Sequence, residues 1–237
     1  MQEEGDGLSV TEMFDERLAV YQAVLAHDLM EHREISAALG AWLRRRFAEP
    51  FSVLEVGCGD GSVTARTLAG LPVRSYTGVD LSASGLAHAA ERFATAGVEA
   101  RFERADMLEF VRAARGSWDV LLASFVLHHL PPASKRAFMI EAARVVAPGG
   151  ALLLVDVFRR EGETREAYLG RYLPRLRETW AVVGRDGVEL AVAHVSEHDF
   201  PEPEVDVRDW AAAAGFAAPE RLYAGIDDMQ RALAFER

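Results

Sequence analysis

The stretch Val53-Leu54-Glu55-Val56-Gly57-Cys58-Gly59-Asp60-Gly61-Ser62 decides how the rest of the chain is read. An apolar run of strand character passes straight into three alternating glycines, and a helical pattern begins near Val63. Glycine suits a backbone that must turn sharply and approach a ligand with no Cβ in the way. A helix start just beyond it offers unpaired N–H groups. The G-x-G-x-G spacing lacks the last interval of the G-x-G-x-x-G turn that holds a pyrophosphate. Glu55 stands ahead of the turn, where a carboxylate repels a pyrophosphate but suits the ammonium of an amino-acid tail, directly or through water. The turn therefore speaks for a cationic ligand and against a nicotinamide dinucleotide.

Working outward, Tyr76-Thr77-Gly78-Val79-Asp80 reads as a second strand ending in an acid about twenty residues after the turn, the place where a carboxylate accepts both hydroxyls of a ribose. Short apolar runs at Ser52–Val56, Ser75–Val79, Asp119–Ala123 and Ala151–Val157, with a weaker one at Glu99–Arg104, alternate with helical patterns. Such alternation predicts βαβ units and a parallel sheet. A helix over Lys135–Val146 leads to the last of these runs through the turn Pro148-Gly149-Gly150. Ahead of the sheet, the periodicity predicts an amphipathic helix over Thr11–Leu29 and another from Ile35 to Phe47, stopping before Pro50. Between Phe158 and Phe200 the sheet pattern lapses into charged and aromatic helical sequence, read as an insertion over one sheet edge. A short helix at Val205–Ala214 and strands at Arg221–Ala224 and Arg231–Phe235 follow.

The chain of 237 residues is half apolar and 27% charged, as in an ordinary globular protein, and its length fits one α/β domain. That domain divides into N-terminal helices (1–49), a cofactor-binding core (50–157), a helical insertion or lid (158–200) and the remaining sheet (201–237). A net charge of −11 argues against nucleic acid or an anionic membrane as partner. The single cysteine, Cys58, excludes an internal disulfide. With neither a signal-peptide pattern nor a spanning apolar stretch, a cytoplasmic location is expected. Oligomeric state is not legible.

The glycine turn and Asp80 together resemble the class I S-adenosylmethionine-dependent methyltransferase family, and three further segments match in order. Arg104-Ala105-Asp106-Met107 is similar to the segment that flanks the adenine, with Asp106 reaching its amino group. Trp118-Asp119-Val120 through His128-His129-Leu130 resembles the fourth strand and its loop, and Val145-Val146-Ala147-Pro148-Gly149-Gly150-Ala151 the turn before the fifth strand. The resemblance runs from about Ser52 to Asp156 and more faintly to the two terminal strands. It implies a Rossmann-like α/β fold with a seven-stranded, mostly parallel sheet whose last strand is antiparallel. It implies S-adenosyl-L-methionine as cofactor and S-adenosyl-L-homocysteine as product, held by Glu55, Gly57, Cys58, Gly59, Asp80, Leu81, Ala105, Asp106, Met107 and Ser124. The activity implied is in-line methyl transfer to an O, N, S or C nucleophile of a small molecule. A cofactor-binding subunit without turnover, and aminopropyl transfer in the same pocket, are the alternatives.

For catalysis, His129 is the first candidate for general base or substrate orienter and His128 the second, because both follow the apolar run Leu121–Leu127 to the sheet's carboxyl edge and imidazole titrates near neutrality. Cys58 as nucleophile has no paired histidine nearby. His194 and His198 have the i, i+4 spacing of metal ligands but no convincing third donor, so no metal is expected. Arg44-Arg45-Arg46 reads as a solvated helix face. Tyr168, Arg171, Tyr172 and Arg175 recur at helical spacing, interrupted by Pro174. With Tyr21, the residues Arg171, Tyr172 and Arg175 are the candidates to meet the acceptor, in a lid formed by the first two helices and the insertion.

Overall fold

A computed structural model describes residues 20–237. The described residues divide into two compact units, one of residues 20–32 with 166–199 and one of residues 33–165 with 200–237. The second is the α/β unit. Its strands are β1 (Phe51–Val56), β2 (Val73–Asp80), β3 (Glu99–Arg104), β4 (Trp118–Ser124), β5 (Val146–Arg159), β6 (Glu202–Pro203), β7 (Glu220–Ala224) and β8 (Gln230–Glu236). They form one sheet in the order β3-β2-β1-β4-β5-β8-β7, with the short β6 paired to the end of β5. Strands β1 to β5 run parallel, and β8 lies antiparallel between β5 and β7. This is the expected mostly parallel sheet with an antiparallel last strand.

The strands are legible because a sheet covered on both faces needs apolar side chains at consecutive positions. Helices α4 (Met107–Ala113), α5 (Pro132–Val145) and α8 (Glu204–Ala213) cover one face, where Leu54, Val56, Leu121, Leu152 and Leu154 meet Val111, Phe138, Met139 and Ala211. Helices α1 (His32–Arg46), α2 (Ser62–Leu68) and α3 (Ala83–Ala96) cover the other, where Val53, Tyr76, Val120, Leu122 and Leu153 meet Ile35, Leu39, Trp42, Leu68 and Phe93. Alternate strand residues thus feed two separate cores.

Helix α1 departs from expectation. Instead of joining a lid, it buries Ile35, Leu39, Trp42 and Leu43 against the sheet, and Ser36 Oγ meets Thr67 Oγ1 of α2 at 2.7 Å. Its basic end is not merely solvated: Arg45 pairs with Glu220 at 2.9 Å, Trp42 Nε1 donates to the same carboxylate at 2.9 Å, and Arg46 donates to the Gly149 carbonyl. Gly149 and Gly150, expected in a turn, belong to the start of β5.

In the other unit the expected first helix is seen over residues 20–26; residues 11–19 of that expectation lie outside the described residues. Helices α6 (Arg165–Thr179) and α7 (Arg185–His198) are joined through a 3₁₀ turn at Ala181–Val183. Helix α6 continues through Pro174 rather than breaking there. An exposed Arg177–Glu189 ion pair at 2.8 Å links the two helices. Among the described residues, no helix is long and apolar enough to cross a membrane.

Candidate functional site

Register brings the expected cofactor residues to one edge of the sheet. Val56 pairs with Val79 of β2 and with Ala123 of β4, so Gly57, Asp80 and Ser124 all come one residue later, at the carboxyl ends of three neighbouring strands. Asp80 in turn pairs with Arg104 of β3, which puts Ala105 and Asp106 at the same edge. Leu81 stands well exposed at 64%. In an open α/β sheet this edge, where β1 and β4 part company, is where ligands bind.

The glycines are required by geometry. Gly57, Gly59 and Gly61 have φ of 67°, 54° and 68°, in the left-handed region. A Cβ on Gly57 would also lie 2.1 Å from Val126 Cγ1. Gly57→Ala therefore adds both strain and a clash, and its expected cost is about 2–4 kcal/mol in urea denaturation. Adding Val126→Ala should return the steric part alone; full recovery in the double variant would refute the strain component.

The acid on the second strand braces the turn. Asp80 Oδ2 accepts from the Gly59 amide at 2.8 Å, and Oδ1 accepts from the Ser82 amide at 2.8 Å. Each oxygen keeps a lone pair for a further donor. Asp106 caps α4, its Oδ1 accepting from Leu108 N at 2.9 Å and Glu109 N at 3.0 Å, which leaves Oδ2 at the sheet edge. The backbone of the glycine turn and these two carboxylates therefore stand together at the carboxyl edge of the sheet.

Glu55 is turned inward. Its Oε1 accepts from Thr64 Oγ1 at 2.6 Å and its Oε2 from the Tyr76 hydroxyl at 2.5 Å, so it supports the turn from behind. Burial pushes its carboxyl up from 4.5 to about 7; the Thr64 and Tyr76 hydrogen bonds oppose the shift, and the charges of Asp80 and Asp60 add to it. A folded-state value above the unfolded one means that stability falls as pH rises from about 4.5 to about 7 and is lowest above it. The full change is on the order of 3 kcal/mol. Glu55→Gln should lack it, so the variant gains on the wild type between pH 5 and pH 8 in denaturant titrations; parallel curves would refute this. Cys58 is buried, and burial with the charges of Glu55 and Asp80 pushes its thiol far above the ordinary range, which removes it as a nucleophile.

The two histidines differ sharply. Both lie in a 3₁₀ turn, Leu127–His129, after β4, with ring centroids 4.0 Å apart. His129 is exposed. His128 is buried and clamped by Asp156 of β5, which accepts from its ring Nδ1 and, at 3.0 Å, from its backbone amide. Asp156 was missed by sequence reasoning, although a lone carboxylate inside the apolar run Leu152–Phe158 is itself a signal.

In the helical unit, Tyr168 and Tyr172 are buried, with ring centroids 5.5 Å apart. The aromatic half of the expected acceptor-facing stripe is thus packed. Burial and Asp199 raise the Tyr172 hydroxyl, against the opposing charge of Arg175. Arg171 lies over the Tyr168 ring at 5.7 Å, and Tyr21 is exposed. His194 and His198 have ring centroids 5.3 Å apart, and among the described residues no group of three metal donors includes them.

Residues 53–150 match the model of a family described as a methyltransferase domain. The chain is 32% identical to the 27-O-demethylrifamycin SV methyltransferase of Amycolatopsis mediterranei, over 72% of this chain and 61% of that protein. It is 29% identical to a carboxy-S-adenosyl-L-methionine synthase of Chromohalobacter salexigens, over 66% of this chain and 58% of that protein. The chain thus spans about three fifths of the length of these two curated relatives. Among solved structures, the fold is similar to magnesium protoporphyrin IX methyltransferase from Synechocystis PCC 6803 with bound SAM, at a TM-score of 0.59 and 17% identity, over 98% of this chain and 87% of that one.

Proposed function

Since the chain belongs to the class I S-adenosylmethionine-dependent methyltransferases, we propose that it transfers a methyl group from S-adenosyl-L-methionine to a small-molecule acceptor, with His128 as general base. The observation that carries this reading is the meeting at one sheet edge of the Gly57–Gly61 turn, the Asp80 carboxylate bonded to Gly59, and the histidine turn after β4. The cofactor supplies an electrophilic methyl on a sulfonium. Gly57, Gly59, Asp80 and Asp106, with Leu81, Ala105, Met107 and Ser124 beside them, hold and orient it. Alignment of the two reactants is the main contribution, worth several kcal/mol of the barrier.

The Asp156 carboxylate accepts from His128 Nδ1, which fixes the tautomer and makes Nε2 the basic nitrogen of the ring, the one to receive a proton from an acceptor hydroxyl or amine. This favours His128 over His129, reversing the order expected from sequence. Support for a small acceptor comes from the Amycolatopsis relative, whose name specifies 27-O-demethylrifamycin SV. The test is incubation of the purified protein with methyl-labelled cofactor and a metabolite extract, followed by mass spectrometry. A labelled product heavier by one methyl group is expected. Tight binding of S-adenosylhomocysteine with no labelled product over a broad panel would instead favour the non-catalytic subunit.

A further inference from the structure

Below the histidine turn lies a buried charge network that the cofactor edge does not use. Its centre is Lys135, the only lysine in the sequence, which is 1% exposed on the first turn of α5. Its Nζ donates to the Phe200 carbonyl and, at 2.9 Å, to Glu202 Oε1. Arg159 donates to the other Glu202 oxygen at 3.0 Å and to the Pro201 carbonyl at 2.6 Å. Lys135, Glu202, Asp156 and His128 line one small cavity.

Two routes lead from this ammonium to the imidazole. The first is mechanical. The Phe200 amide donates to the His128 carbonyl at 2.8 Å while the Phe200 carbonyl accepts from Lys135, so a single residue is held at both ends. The second is electrostatic. Asp156 is 3% exposed, and it accepts from the His128 ring and amide and from the Val157 amide at 2.8 Å, none of them a fixed cation. Burying a carboxylate is costly unless a counter-charge stands near it, and Lys135 lines the same cavity as Asp156 and feels its charge.

We propose that Lys135 is a positioning residue for the methyl-transfer base: it locks the Phe200 peptide onto the His128 backbone and supplies the counter-charge that keeps Asp156 an acceptor for His128 Nδ1. Substrate and cofactor do not touch it. A neutral residue there frees the His128 ring to change tautomer and rotamer, while the glycine turn and Asp80, on other strands, are undisturbed. Arginine retains the charge and part of the effect. Neutralising Lys135 alone takes the donor from Glu202 Oε1 while Arg159 still holds Oε2, so a paired change separates positioning from simple destabilisation.

The inference rests on His128 as the base, and the test separates the two claims. Lys135→Met, Lys135→Arg and Lys135→Met/Glu202→Gln are compared with the wild type by two-bond ¹H–¹⁵N correlation of the His128 ring, by steady-state kinetics and by titration with S-adenosylhomocysteine. In Lys135→Met and in the paired variant, the Nδ1–H tautomer pattern should be lost and kcat should fall about 10²-fold, with cofactor affinity unchanged. Lys135→Arg should retain the pattern and most of kcat. A folded paired variant with the native His128 pattern and wild-type kcat overturns the proposal, as does an Arg variant no better than Met. Should His128→Ala keep full kcat, the base assignment fails, while the ring spectra still decide whether Lys135 positions His128.

Discussion

Asp80→Ala should bind S-adenosylhomocysteine about 10²–10⁴-fold more weakly than the wild type in calorimetric titration, because two charge-assisted hydrogen bonds worth roughly 1.5–3 kcal/mol each are removed. Part of that loss acts through the protein itself, since Asp80 also holds the Gly59 and Ser82 amides. Asp80→Asn separates the contributions: its amide oxygen still accepts from one backbone N–H, but it cannot accept from both hydroxyls of a ribose and both amides at once. The Asn variant should therefore keep its thermal midpoint closer to wild type than Ala does and still lose most of the affinity. Unchanged affinity in a folded Ala variant would sink the ribose assignment.

The second large effect is catalytic. His128→Ala should lower kcat on the order of 10²–10⁴-fold, the usual contribution of a positioned base. Binding of S-adenosylhomocysteine should stay intact, because Asp80, Asp106 and the glycine turn follow or end β2, β3 and β1 and are separate from the Leu127–His129 turn. His129→Ala should cost far less, since its ring is exposed, whereas that of His128 is buried against the Asp156 carboxylate. Near-normal turnover in both variants on the true acceptor would leave alignment as the sole source of rate.

Much of the α/β unit was legible because burial on both faces writes itself as short apolar runs. The run Asp119–Ala123 falls one residue inside β4 at each end, and Ser52–Val56 starts one residue inside the fully buried β1. The glycine turn was legible for a related reason: positive φ and close approach exclude most side chains, so the residue type reports the geometry. What escaped were features made by distant partners. Nothing local to Lys135 says that it meets Glu202 and Phe200, and nothing local to Asp156 says that it clamps His128. The assignment of α1 to a lid failed because an amphipathic pattern declares that one face is buried without naming the surface that buries it. Tyr172 misled similarly: helical spacing put it beside Arg171 and Arg175, but spacing carries no sign for inward or outward.

The place of β8 in the sheet bears on how the chain folds. It fills the gap between β5 and β7, pairing Ala151–Val157 with residues that lie beyond the whole helical insertion and α8. That contact closes a long loop, so it forms late relative to the local βα pairings of the first four strands. Any species with β4 and β5 joined but β8 absent displays an unpaired and largely apolar strand edge, a ready template for a second molecule. Refolding yield should therefore fall steeply with protein concentration, and light scattering during dilution from denaturant should rise before β8 docks.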